Sequence, residues 1–280
     1  MRVDYHSHHE RCGHAAGSLE EYIKSAIGKG LDHFGISDHM PLLHVDPANY
    51  YPEMAMPREE LHAYAEEAFS LQAKYKDRIE VRVGLEGDFI EGYEEEVEKI
   101  VESYPWDYVI GSVHFLGEWD VTDFRQVHKW EGRHVEEVYE QYYEAIKKAA
   151  RTGLFDWIGH IDVIKRFGMV PANDPVQVED EALRVIAEEG IAIELNTAGW
   201  YSKAKEMYPS QRMLKRAQQL NIPITTGADA HRPDHVGRDL EKANSLLQEI
   251  GFPGVCGFKQ RNHVAPNGKP TDRGRTCRGP

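Results

Sequence analysis

MRVDYHSH, residues 1–8, ends a short apolar run in two histidines two positions apart, and the same arrangement returns along the chain. VRVGLE (81–86) closes on Glu86, VIGSVH (109–114) on His114, DWIGH (156–160) on His160, and TTGADAH (225–231) on Asp229 and His231. His14 and the adjacent Asp38 and His39 stand just beyond the first and second such runs. Short apolar runs bounded by turn residues read as strands, here over 2–5, 33–37, 79–86, 108–113, 157–159, 191–195 and 222–226, with a further candidate at 255–258. Helical periodicity fills the intervals. Ser18 with Glu21 forms a capping box that opens a helix through Lys29, and Gly30 stops it. Further helices are expected at about 57–76, 93–103, 135–152, 175–189, 210–221 and 238–250. Strands alternating with helices of crossover length predict a parallel sheet, either a barrel or doubly wound. No GxGxxG or GxxxxGK[ST] loop follows a strand, which favours the barrel over a nucleotide-binding open sheet. In such a barrel the loops at the C-terminal ends of the strands meet over one opening, so these histidines and carboxylates should converge as a metal cluster.

Composition bounds the alternatives. A chain of 280 residues, 41% hydrophobic, can bury a large core, and a single α/β barrel fits this length as well as two smaller domains. One domain is expected over residues 1 to about 265, and PNGKPTDRGRTCRGP (266–280) reads as a flexible or cloning-derived tail. The opening MRVDYHSHHE has no basic segment followed by an apolar one, and no run is long enough to cross a bilayer, so a cytoplasmic protein is expected. A net charge of −14 disfavours nucleic-acid and anionic-membrane partners. Cys12, Cys256 and Cys277 are too few and too scattered for a disulfide framework or a thiolate zinc site, so any metal must be held by histidine and carboxylate.

His6 and His8, two apart on an extended chain, point to the same face and can grip one ion; Asp229 and His231 form a second such pair. Glu86 ends an apolar strand, where a carboxylate is costly to bury unless paired or metal-bound, and its two oxygens can bridge two ions. An isolated HxH is weak, and any one of these residues could be a hydrogen-bonded group at a strand end. The recurrence at equivalent places argues for a cluster. His9, His33, His62, His128 and His134 lack that placement, while His44 and His235 lie in loops within reach of the opening. No GxSxG elbow or reactive cysteine motif is present, which points to direct hydrolysis without a covalent intermediate.

DYHSHHERCGHA (4–15), GISDHMP (35–41), GLEGDF (84–89), IGSVHF (110–115), GHIDVIKRF (159–167), ELNTAGW (194–200) with YPS (208–210), and TTGADAH together resemble the PHP (polymerase and histidinol phosphatase) superfamily, most closely its histidinol-phosphatase branch. The resemblance runs from residue 1 to about 265 in motif order. It implies a distorted (β/α)7 barrel with three divalent ions, zinc, manganese or iron, at the C-terminal ends of the strands. His6, His8, Glu86 and Asp229 would hold the first; Glu86 would bridge to a second held by His114 and His160; His14, His39 and His231 would hold the third. The implied activity is hydrolysis of a phosphate monoester, L-histidinol phosphate, to L-histidinol and phosphate in histidine biosynthesis. A metal-activated hydroxide attacks phosphorus, with His6, His8, Glu86, His114, His160 and Asp229 as the catalytic set. The alternative is another small phosphate ester, a nucleotide or a phosphodiester.

Asp38 and Asp162 are expected to orient neighbouring histidines. Arg166 leads as the guanidinium for phosphate, ahead of Lys165 and Arg232. Related proteins carry an arginine soon after NTAG. Here Trp200 and Tyr201 follow instead, and Lys203 would take that role as a point charge. The oligomeric state is not legible.

Overall fold

The computed structural model describes residues 1–46 and 51–264, so the expected tail at 266–280 lies outside the described residues. In chain order the elements are β1 (Val3–Asp4), α1 (Leu19–Gly28), β2 (His33–Ile36), α2 (Leu61–Tyr75), β3 (Glu80–Asp88), α3 (Glu94–Val101), β4 (Tyr108–Ser112) and the short β5 (Phe115–Leu116) and β6 (Trp119–Asp120). There follow α4 (Val135–Arg151), β7 (Trp157–Ile158), α5 (Val176–Glu189), β8 (Ala192–Asn196), α6 (Gln211–Gln219), β9 (Ile224–Gly227), α7 (Leu240–Ile250), β10 (Gly257–Lys259) and β11 (Asn262–Val264). The helices begin where the local chemistry predicts. Ser18 N–H donates to Glu21 Oε2 at 2.7 Å in the capping box that opens α1, and Ser210 accepts from Met213 N–H at the start of α6.

Seven strands pair in the order β1-β2-β3-β4-β7-β8-β9, every pair parallel. The sheet curls until its two edges meet. Tyr5 N–H donates to Thr226 O at 3.1 Å, Thr226 Oγ1 to Val3 O at 2.7 Å, and His8 N–H to Ala230 O at 2.8 Å. Asp4, buried on β1, completes the seam: Oδ1 accepts from Ala228 N–H at 2.9 Å and Oδ2 from Gly237 N–H at 2.6 Å. Burial pushes this carboxyl up to about 6, against those hydrogen bonds, which pull it down.

Rings from the paired strands β4 and β7 and from Tyr5, just past β1 across the barrel, meet inside. Tyr5 lies 5.5 Å from Tyr108 and Tyr108 lies 4.7 Å from Trp157, so the interior is a packed floor rather than a pore. Phe258 packs 4.4 Å from Trp157 and completes that floor. The strand candidate at 255–258 is present as β10, outside the main sheet. Its apolarity reflects plugging of the barrel, and it pairs antiparallel with β11 in a separate two-stranded sheet. The β5–β6 hairpin beside the opening, with two residues in each strand, carries too little alternation to be read in advance. Among the described residues no helix is long and apolar enough to cross a membrane.

The floor leaves no room at Gly84, where a Cβ would stand 2.5 Å from both the Tyr108 ring and its carbonyl oxygen. Gly84→Ala is therefore expected to destabilise the fold by about 1–3 kcal/mol, read as a lower urea midpoint at unchanged m-value. An unchanged midpoint would mean that Tyr108 is free to shift.

Candidate metal centre

Each stretch singled out in the sequence delivers its side chains to the same rim. His6 and His8 follow β1, His39 follows β2, Glu86 lies on β3, His114 follows β4, His160 follows β7, and Asp229 and His231 follow β9. His14 arrives from the turn after the first strand. The His39 segment is laid along β3 by backbone bonds, Met40 N–H to Glu86 O at 2.9 Å and Glu86 N–H to Asp38 O at 3.1 Å. Asp229 takes a φ of +51°, in the left-handed region that aspartate tolerates better than most side chains.

Glu86, 1% exposed, is the hub. Its Oε1 lies 3.0 Å from His160 Nε2, 3.3 Å from His6 Nε2 and 3.5 Å from His114 Nε2; its Oε2 lies 2.9 Å from His39 Nδ1 and 3.4 Å from His8 Nε2. Asp229 Oδ1 is a second hub, 3.1 Å from His8 Nε2 and 3.7 Å from His6 Nε2. His14 stacks into the edge of the cluster, its ring centroid 4.8 Å from His231 and 5.1 Å from His39.

The arrangement fits divalent cations. His6 Nε2, His8 Nε2 and Glu86 Oε2 are buried without a hydrogen-bond partner of good geometry, which is costly unless a cation takes their lone pairs. Ligand atoms gather within 4.8 Å of one another in the overlapping sets His6, His8, Asp229; His6, Glu86, His160; His39, Glu86, His114; and His8, His39, His231. Nitrogen and carboxylate donors of this kind suit zinc, manganese or iron. His39 belongs to two of these sets, its ring centroid 5.6 Å from that of His114 and 6.3 Å from that of His231.

Electrostatics agree. Burial alone would raise the Glu86 and Asp229 carboxyls, but the surrounding imidazoles hold both well below the usual range. Burial pulls His8 down, yet hydrogen bonds to Asp229 and Asp38 and the charge of Glu86 lift it to about 9; His114 rises to about 10 against its burial, under Asp88 and Glu86. His14, partly desolvated and beside His39 and His8, is lowered to about 4. The two carboxylate hubs draw positive charge: without an ion it is carried by protons on His6, His8 and His114, which a bound cation would displace, while burial and like-charged neighbours keep His14 and His231 neutral.

Behind the cluster stand groups that orient it. Glu194 Oε1 lies 2.8 Å from His6 Nδ1, while Oε2 accepts from His160 N–H at 3.0 Å and from Asn196 Nδ2 at 3.1 Å. Asp88 Oδ1 lies 2.8 Å from His114 Nδ1. Holding Nδ1 in this way turns Nε2 toward the cluster. The sequence reading missed both, although Glu194 interrupts an apolar strand as Glu86 does and Asp88 follows Glu86 by two. Asp38 behaves as expected, 3.4 Å from His8 Nδ1, and it also holds His9 Nδ1 at 2.5 Å, so His9 is buried support. Asp162 does not orient a histidine. The turn after His160 points it at Lys165 Nζ, 2.7 Å away, and it accepts from Ser210 N–H at 2.9 Å. Lys165 is thereby committed, with Glu206 at 2.8 Å as its second partner.

A cavity of about 710 Å³ opens over the cluster. Arg166, exposed, and His235 both line it. Lys203 is exposed and absent from the wall, and Arg232 is turned to Asp234 at 3.0 Å.

The PHP domain family model matches residues 4–198. The "Probable histidinol-phosphatase" of Deinococcus radiodurans is 40% identical over 89% of this chain and 93% of its own length. The histidinol-phosphatase of Bacillus subtilis is 30% identical over 86% of this chain and 97% of its own. Among solved structures, the histidinol phosphate phosphatase of Lactococcus lactis, complexed with zinc, L-histidinol and phosphate, superposes with a TM-score of 0.79 at 25% identity, over 94% of this chain and 98% of that one.

Glu194→Gln preserves shape but removes the negative charge behind His6. Metal affinity is expected to fall by about 10–100-fold, measured by competition with a chromogenic chelator, with the thermal transition of the metal-free protein kept as the control for folding. Wild-type affinity would show that the His6 ring needs no such support.

Proposed function

Because this chain belongs to the PHP domain family and to its histidinol-phosphatase branch, we propose that it hydrolyses L-histidinol phosphate to L-histidinol and phosphate, a cytoplasmic step of histidine biosynthesis. The observation that carries this reading is the convergence of five histidines from four strand ends on one buried carboxylate, Glu86, beneath a cavity sized for a small monoester.

His6, His8, Glu86 and Asp229 would hold a first ion, Glu86 with His114 and His160 a second, and His14, His39 and His231 a third. Such ions, drawn from zinc, manganese and iron, supply Lewis acidity that lowers the pKa of water and neutralises charge on phosphoryl oxygens. The chain's own part is preorganisation. Glu194 and Asp88 fix the tautomers of His6 and His114, so the donor atoms pay no reorganisation when the ester arrives. Glu86 presents both oxygens inward, held there by the Ser112 hydroxyl, which donates to Oε1 at 2.7 Å. Arg166, free of any carboxylate among the described residues, offers a guanidinium to the phosphate dianion. The aromatic floor beneath the cluster keeps the site closed from below.

The deciding experiment is phosphate release by metal-reconstituted protein from L-histidinol phosphate, beside other monoesters and a dinucleotide. Strong preference for histidinol phosphate is expected; preference for another ester would keep the hydrolysis and remove the substrate. A chelator should abolish turnover, and Glu86→Ala should lose metal together with at least about a hundredfold in kcat/KM. Full activity in metal-free protein would overturn the mechanism. Arg166→Ala should raise KM by about tenfold or more.

A further inference from the structure

Three arginines line the cavity, and they are not equivalent. Arg125 is spent on neighbours: its Nε lies 3.0 and 2.9 Å from the two oxygens of Asp123, and its guanidinium reaches Glu53 at 3.7 Å. Arg166 is exposed on the wall and has no carboxylate partner among the described residues. Arg238 has no carboxylate partner among the described residues, and its Nε is buried with no hydrogen bond. Its guanidinium carbon lies over the Tyr201 ring, 3.7 Å from the centroid. The ring is itself pinned, since Tyr201 Oη donates to Asp239 Oδ2 at 2.5 Å, and the Arg238 carbonyl accepts from Thr197 Oγ1 at 2.8 Å.

Stacking fixes the plane of a guanidinium without using its in-plane N–H donors. Arg238 therefore stands on the cavity wall, charged and with no carboxylate beside it, and its buried Nε–H lacks an acceptor, which costs free energy unless a ligand supplies one. Lys203, expected from the sequence to supply this charge, is away from the wall. We propose that Arg238 is a second guanidinium for the phosphoryl oxygens of the substrate, paired with Arg166, and that Tyr201 is the positioning residue that holds its fork. This rests on the phosphatase reading for the identity of the anion.

A neighbouring pair offers a control. Lys242 stacks on Trp200 at 3.7 Å and ties the same two segments together, but it does not line the cavity. If Arg238 were only a clasp between these segments, losing either stack would act alike. The experiment measures the dissociation constant of inorganic phosphate on metal-loaded protein by calorimetry, together with KM and kcat for L-histidinol phosphate. Arg238→Met should weaken phosphate binding and raise KM in parallel by roughly ten- to a hundredfold, with kcat held within about threefold. Arg238→Lys should recover part of the loss, Tyr201→Leu should show a smaller effect of the same pattern, and Lys242→Met should show none. Phosphate binding within about twofold of wild type in Arg238→Met at full metal content would overturn the proposal. So would an equal effect from Lys242→Met. If Arg238→Met does not fold, Tyr201→Leu decides, since it keeps the arginine: unchanged phosphate binding there overturns the positioning claim. A wild type that binds phosphate but does not hydrolyse L-histidinol phosphate would remove the substrate reading alone, and weaker phosphate binding in Arg238→Met would still support the anion site.

Discussion

A carboxylate buried at the end of an apolar strand must find positive charge, and the arrangement of the barrel rim follows from that requirement at Glu86. Its two oxygens divide the imidazoles between them, with His6, His114 and His160 on one and His8 and His39 on the other. A single anion could not organise five rings unless each ring had its own reason to face inward. Glu194, Asp88 and Asp38 supply that reason for His6, His114 and His8 by occupying the opposite nitrogen, while backbone bonds place His160 and His39. The cluster is thus a layered object, with carboxylate at the centre, imidazole around it and carboxylate outside.

The layering depends on the closure of the barrel. His6 and His8 leave the first strand and Asp229 and His231 leave the last, and they become neighbours only because the sheet edges are joined by the bonds among Val3, Tyr5, His8, Thr226 and Ala230. Asp4 binds the same seam through Ala228 and Gly237. Beneath it, Tyr5, Tyr108, Trp157 and Phe258 fill the interior. Rigidity at the seam and floor leaves the variable chemistry to the loops above, where Arg166, Arg238 and Tyr201 meet the cavity. A metal cluster of this kind can polarise many anionic esters, so discrimination belongs to those loops.

The seven barrel strands, the helices between them and the residues of the rim were legible in the sequence, whereas the β5–β6 hairpin was not. Strand periodicity is local, and a ligand-grade side chain closing an apolar run is a local signal, as at Glu86, His114 and His160. The same local signal was present at Glu194 and went unused, because a carboxylate inside a strand says only that a partner exists. The partner, His6, is 188 residues away. Residues 255–258 show the converse limit: apolarity announces burial without saying against what, and the strand there packs on the barrel floor instead of joining the main sheet.

What the sequence by itself determined is the chemistry at each strand end, since the alternation of side chains and the position of the strand termini depend only on neighbouring residues. What the tertiary structure decided is which of those groups are already satisfied. Asp162 and Lys165 neutralise one another and Arg125 is neutralised by Asp123, while Arg238 lies on Tyr201 with its buried Nε–H lacking an acceptor. The difference is physical: charge and residue type belong to the chain, whereas pairing and desolvation are properties of distances between segments that only folding brings together.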